Sequence, residues 1–221
     1  MYNKPVSKPK TYLILKRLFD IVGAICGIIF FSPFLIAGCI WSRIVSPEGP
    51  IMADIPPRVG KDKQAFKLLK FRSMIPNAHE YLVNHPELYK KYVENSYKIA
   101  AEEDPRILKG GVFLRKYSID EMPQVFNILK GEMSLVGPRA YYFFEIEEQL
   151  KRHPEVKDIL GDVLDAKPGL TGLWQVSGRS DIGFVDRVKL DHEYVKKANF
   201  WYDLMIILKT PFVVVFRKGA I

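Results

Sequence analysis

Two cysteines among 221 residues, Cys26 and Cys39, are too few for a disulfide framework, and both fall inside the longest apolar stretch, where a thiol packs as a small hydrophobe. They fit a reducing cytosol. The four histidines, His79, His85, His153 and His192, show no ligand spacing, so the sequence offers no transition-metal site. Internal repeats and low-complexity tracts are missing too, which sets aside solenoids and linkers. Acidic residues are in deficit: 33 Lys and Arg stand against 25 Asp and Glu, for a formal charge of +8. The partner is therefore anionic: nucleic acid, a phospholipid surface or a phosphorylated substrate. No helix-turn-helix or zinc pattern accompanies the charge, and several arginines sit in Gly-Pro turns rather than along a helix face, which argues against nucleic acid.

What is present divides sharply in two. From Ile21 to Trp41 no side chain is ionisable, and about 21 residues at ~1.5 Å each just cover a hydrocarbon core of ~30 Å. A spanning helix is the simplest reading. Against it stand Pro33, which removes a backbone hydrogen bond at the midpoint and expects a bend, and the basic residues on both flanks. Ser32 can satisfy the freed backbone locally. Lys4, Lys8, Lys10, Lys16 and Arg17 precede the run, and Arg43, Arg58, Lys61 and Lys63 follow it, so a hairpin that dips in and returns suits the charge better than a crossing. The residues alone leave both open. A second apolar stretch, Phe200 to Phe216, is interrupted by Asp203, Lys209 and Pro211, and reads equally as an interfacial helix or as a buried core helix.

After Pro47 the composition turns polar, and Phe66 to Met74 reads as a strand or short helix carrying Lys70 and Arg72. Ala78 to Ala101 is amphipathic, interrupted at Pro86, and is expected to be a solvated helical insertion without chemistry. Ser118 followed by Glu121 forms a capping-box pattern, with Val125, Ile128 and Leu129 as the apolar stripe of the helix beyond. Pro123 conflicts with that register and allows the helix to begin there instead. Either start sets Asp120 and Glu121 beside free backbone N–H groups. Around them, Lys70, Arg115, Arg139 in Gly137-Pro138-Arg139, and Arg179 after Ser177-Gly178 lie beside turns or short elements. Guanidinium forks match phosphate oxygens, so their convergence would make a diphosphate-sized site.

These pieces carry a resemblance. KRLFDIVGAICGIIFFSPF (16–34), KFRSM (70–74), DPRI (104–107), LRKYSIDEMPQVFNILKGEMSLVGPR (114–139), KPGLTGLWQVSGRS (167–180) and LDHEYV (190–195) resemble, in order, the bacterial sugar transferase family, the monotopic phosphoglycosyl transferases that begin surface-glycan assembly. The resemblance implies a helix-rich α+β fold: a basic N-terminal segment with a re-entrant membrane hairpin over 1–46, broken at Ser32-Pro33, then a small catalytic domain over 47–221 with short strands and interfacial amphipathic helices. It implies a place on the cytoplasmic face of the bacterial inner membrane. Asp120 is implied to attack the sugar-bearing phosphate of a UDP-sugar, with Glu121 as its catalytic partner, before transfer to polyprenyl phosphate. Mg²⁺ at Asp120, Glu121 and Asp191 is implied as well, with Lys70, Arg72, Arg115, Arg139 and Arg179 binding substrate. Membrane lipid is an implied partner, and self-association is left open. Ala140 stands where the family has a proline, and ADIPPRVG (53–60) departs from the usual approach to Arg-Val-Gly. Larger members add a multi-helix domain in front, so the chain is read as a minimal member or as the catalytic part of a longer one. A catalytically inactive, membrane-tethered adaptor of glycan export is the competing reading.

Overall fold

A computed structural model describes residues 8–95, 97, 99–178 and 182–215. Helix α1, Lys10–Val45, opens the fold and is long and apolar enough, by length and composition, to cross a membrane. Its hydrogen bonding continues through Pro33, so Ser32-Pro33 does not split it into two helices. The proline nevertheless leaves the Ile29 carbonyl without its helical donor, and the Ser32 hydroxyl donates to that carbonyl at 2.9 Å. One stripe of α1 is small and faces the body of the protein. A Cβ on Gly38 would come within 2.5 Å of the Phe71 ring, and one on Gly27 within 3.6 Å of Val125. The remaining surface is apolar and uncovered, with Ile29, Phe30 and Ile44 all more than 70% exposed.

The polar part begins with a hairpin of two short antiparallel strands, β1 (Arg58–Val59) and β2 (Ala65–Phe66). Helices α2 (Ala78–Val83) and α3 (Pro86–Glu94) come next, with Pro86 in the first turn of α3, where its missing N–H costs nothing. The expected solvated insertion is in fact packed. Leu82, Tyr92, Val93, Tyr97 and Ile99 form a small core of their own, and the Tyr97 hydroxyl reaches Glu148. Helices α4 (Gly111–Lys116) and α5 (Gln124–Lys130) lead into β3 (Ser134–Val136), which pairs in parallel with β4 (Gly169–Thr171). Between those strands lie α6 (Phe143–Arg152) and α7 (Lys157–Leu164), and after them α8 (Leu173–Ser177), α9 (Phe184–Lys197) and α10 (Phe200–Val215). The helix-rich α+β class expected from the sequence is the architecture found.

The flanks of the apolar run are bound into this body. Asp20 accepts from the Ser134 hydroxyl and the Leu135 N–H, both at 2.9 Å. Arg17 donates to the Ile128 and Leu129 carbonyls at 2.6 and 2.8 Å, satisfying the open C-terminal end of α5. Lys16 lies 3.0 Å from Asp203 of α10. Thus Lys8, Lys16, Arg17 and Arg58, all read from the sequence as topology signals, are spent on tertiary contacts. Helix α10 combines both expectations for its segment: Asp203 and Ile206 are buried, whereas Trp201, Leu208 and Phe212 stand exposed.

Candidate active site

Ser118 takes a left-handed conformation (φ 55°) and makes no side-chain cap, so the capping box read from Ser118 and Glu121 does not form. The chain instead makes a single 3-10 turn, Ile119–Glu121, and α5 follows Pro123, the alternative start. Val125 and Ile128 of its apolar stripe are buried and Leu129 packs against the core. That turn is held against the 66–74 segment, since Phe71 N–H donates to the Asp120 carbonyl at 2.8 Å. Asn127, fully buried on α5, fixes the same segment: its Oδ1 accepts from Leu69 N–H at 2.9 Å and its Nδ2 donates to the Lys67 carbonyl at 2.8 Å. Lys70 is thereby delivered to the carboxylates. Its Nζ lies 2.8 Å from Asp120 Oδ2 and 3.5 Å from Glu121 Oε1.

Asp120 is 1% exposed, while the Glu121 side chain is 40% exposed. Burial pushes the Asp120 carboxyl above the ordinary carboxylate range and the neighbouring Glu121 charge adds to this, while Lys70 and Arg115 oppose it. Burial disfavours the Lys70 ammonium, but Asp120 and Glu121 outweigh it and hold its pKa above the ordinary value. The arrangement is a coupled ion pair on the wall of a cavity of about 990 Å³ that also takes in Arg58, Arg115, Arg139, Tyr142 and Trp174. Lys70, Arg115 and Arg139 thus meet at one cavity with the two carboxylates, as the sequence led one to expect.

Two expected residues do not join as expected, and a third is not among the described residues. Arg72 borders the cavity, but its guanidinium is buried and donates to the Pro50 carbonyl (2.7 Å), the Ser46 hydroxyl (2.7 Å) and the Ser46 carbonyl, so it ties down the end of α1 rather than offering free donors. Asp191 is fully buried on α9, where its Oδ2 accepts from Arg139 N–H at 3.1 Å and from the Tyr141 hydroxyl at 2.9 Å. Asp191 braces the Arg139 turn through Oδ2, while its buried Oδ1 has no hydrogen-bond partner, and among the described residues no three acidic, histidine or cysteine side chains gather as a metal-binding group. Asp120 and Glu121 on the cavity wall have the donor chemistry for Mg²⁺, an ion commonly held by one or two carboxylates with substrate oxygens and water completing its shell. Arg179 lies outside the described residues.

Several side chains at the site were not singled out from the sequence. Arg58 stacks on the Tyr142 ring at 3.3 Å and donates to the Ala140 carbonyl at 2.9 Å, which sets a cation on the cavity wall next to the atypical alanine. His79, Tyr92 and Tyr97 of the supposed insertion border the same cavity. Arg139 lies 5.2 Å from the Trp174 ring centre and 3.9 Å from Glu145, and Arg187 of α9 makes the corresponding contacts at 5.2 and 3.5 Å. Only the α9 pair left a signal: Phe184, Arg187, Val188, Asp191, Tyr194 and Val195 recur at helical spacing, and two charges in such a stripe mark a buried polar cluster.

Comparison with known proteins gives the family. A family described as bacterial sugar transferase matches residues 11–217. The undecaprenyl-phosphate galactose phosphotransferase of Salmonella typhimurium is 43% identical over 210 residues, covering 93% of this chain and 41% of that protein. Exopolysaccharide production protein ExoY of Sinorhizobium fredii is 36% identical over 211 residues, 94% of this chain and 88% of its own. The UDP-glucose:undecaprenyl-phosphate glucose-1-phosphate transferase of Escherichia coli is 33% identical over 234 residues, all of this chain and 44% of that protein. The chain thus spans less than half the length of the first and last of these and most of the second. With the family matched from the first turn of α1 to beyond the end of α10, the chain belongs to the bacterial sugar transferase family.

Proposed function

We propose that this chain transfers a sugar 1-phosphate from a UDP-sugar to a polyprenyl phosphate of the undecaprenyl type, through a covalent intermediate on Asp120. The observation that carries the reading is the buried Asp120–Lys70 pair at 2.8 Å on the wall of a cavity rich in cations. In the first half-reaction an Asp120 carboxylate oxygen bonds to the phosphorus that bears the sugar. The bond from that phosphorus to the bridging diphosphate oxygen breaks, UMP leaves with the electron pair, and an acyl phosphate remains. In the second, a polyprenyl phosphate oxygen bonds to the same phosphorus and the acyl phosphate bond breaks, restoring the carboxylate. An ionised carboxylate needs no base to attack, and Lys70 favours that ionised form. Lys70, Arg115 and Arg139 offset the phosphate charge that would repel it. Asp120 and Glu121 would hold Mg²⁺, which when bound neutralises further charge on the diphosphate.

The cavity walls suit substrates from two phases. Phe19 and Phe31 of α1 with Ile207, Pro211 and Val214 of α10 give an apolar side, fit for a lipid acceptor, and Arg58, Tyr142 and Arg139 give a polar one. The docking of α1 supports a re-entrant, monotopic placement on the cytoplasmic face. Asp20 near one end and Gly38 near the other both rest on the same body, so a crossing that separated the flanks would tear one of them away. The test is UMP release in detergent micelles from UDP-glucose, UDP-galactose and their N-acetyl forms, with Mg²⁺ and undecaprenyl phosphate. Wild type releases UMP from at least one donor, and Asp120→Asn, folded and still micelle-bound, releases none. Full turnover by Asp120→Asn removes the nucleophile, and no release by wild type favours the inactive adaptor.

A further inference from the structure

Arg187 is fully buried, makes no part of the cavity wall and carries a charge that a methionine of similar length would spare the core. Its neighbours show what the charge does. The Glu145 carboxylate is placed by Tyr142 N–H, 3.3 Å from Oε2, and its Oε1 is shared by two guanidiniums: Arg187 Nη1 at 3.5 Å and Arg139 Nε at 3.9 Å. Both guanidiniums also lie 5.2 Å from the centre of the Trp174 ring. One negative charge thus serves two positive ones, and it leans toward the arginine that substrate does not meet. Arg139 Nε is buried with no hydrogen-bond partner in the protein. One turn along α9 from Arg187, Asp191 fixes the main chain of Arg139 by accepting its N–H at 3.1 Å.

We propose that Arg187 is a positioning residue for donor recognition: by drawing Glu145 toward itself it keeps the Arg139 guanidinium uncancelled and directed at a phosphate in the cavity. The inference rests on the phosphate-binding reading of Arg139 given above. Without Arg187, Glu145 closes on Arg139 as a tight pair in a weakly screened site, cancels its charge and turns it from the cavity. The two acidic and basic partners then satisfy each other, and the donor loses one charge-assisted contact. Arg187 and Asp191 thereby act on the side chain and the main chain of the same residue from one face of one helix.

The experiment is a double-mutant cycle on the full chain in detergent micelles, comparing wild type, Arg187→Met, Glu145→Gln and the pair. Loss of one charge-assisted hydrogen bond raises KM for the UDP-sugar about tenfold in Arg187→Met, with kcat within about twofold. KM for polyprenyl phosphate stays within about twofold, because that substrate is met after UMP has left. Adding Glu145→Gln frees Arg139 again, so the pair returns to within about threefold of Glu145→Gln alone. A purely structural role for Arg187 gives the opposite order, the pair being worse than either single change, and that order, or an unchanged KM in Arg187→Met, overturns the inference. If Arg187→Met does not fold, the comparison of the pair with Glu145→Gln still decides: near-equal KM supports the inference, and a tenfold gap refutes it. Equilibrium binding of UDP to the same four proteins ranks them independently of turnover. A wild type that binds UDP and turns over no UDP-sugar overturns the transferase reading alone, and the UDP affinities then decide the role of Arg187.

Discussion

Asp191 shows how much one carboxylate can mean when water cannot reach it. Burial pushes its pKa from 3.8 up to about 7, against the opposing pull of the Arg139 N–H, the Tyr141 hydroxyl and the two nearby arginines. Because the value in the folded chain exceeds that in the unfolded one, the group's contribution to stability is whole below about pH 4 and is lost as pH rises through about 7. Asp191→Asn keeps an oxygen for both donors and carries no charge. Its thermal midpoint in micelles is therefore expected to gain on that of wild type as pH goes from 5 to 8, by an amount worth up to a few kcal/mol at the upper end. A gap that shrinks with rising pH contradicts this. UMP release should survive the change, as it would not if Asp191 were an obligatory ligand of Mg²⁺. At this scale the sequence spoke unevenly. Lys70 and Arg72 are two residues apart in one extended segment, and nothing local tells them apart; the Asp120 turn lies opposite one and Ser46 opposite the other. Long-range neighbours decide, and they are not written near the residue.

Elements were more legible than contacts. The interruption at Pro86, the apolar stripe of α5 and its start at Pro123 could all be read from spacing, because local stereochemistry sets them. The capping box could not, because Ser118 takes a left-handed conformation that nothing in the local spacing announces. The face of α1 is a third case: composition marks the segment as apolar and gives no sign of what its small residues admit. Gly38 lets Phe71 lie against the helix, and Phe71 N–H is what holds the Asp120 carbonyl. Gly38→Leu is therefore expected to displace Phe71 and to lower kcat for UMP release at least tenfold, with membrane association intact, since the exposed face of α1 is unaltered. Retained kcat in a membrane-bound Gly38→Leu protein would show that the segment around Phe71 and the helix move independently.

For the whole molecule the question is on which side of the bilayer each flank of α1 resides. A single cysteine at position 10 and another at position 47, each in a background lacking Cys26 and Cys39, report this in sealed vesicles of known orientation. With both flanks tied to one body, both positions label with an impermeant maleimide from the cytoplasmic side and neither from the other. Labelling of position 47 from the far side would reverse the assigned placement. Here the sequence had supplied two answers, since composition measures how apolar a segment is and not which way its ends return. The contacts of Asp20, Gly38 and Ser46 with a common body favour the returning arrangement, and the labelling decides it.

The ties of α1 also have an order in time. Lys16, Arg17 and Asp20 leave the ribosome before their partners at Ile128, Leu129, Ser134, Leu135 and Asp203, which are synthesised up to nearly two hundred residues later. During that interval α1 lacks these ties, with its polar groups awaiting their mates. The clasp between Lys16 and Asp203 closes only after the segment from one to the other has been made, so a product interrupted within it leaves the start of α1 unfastened.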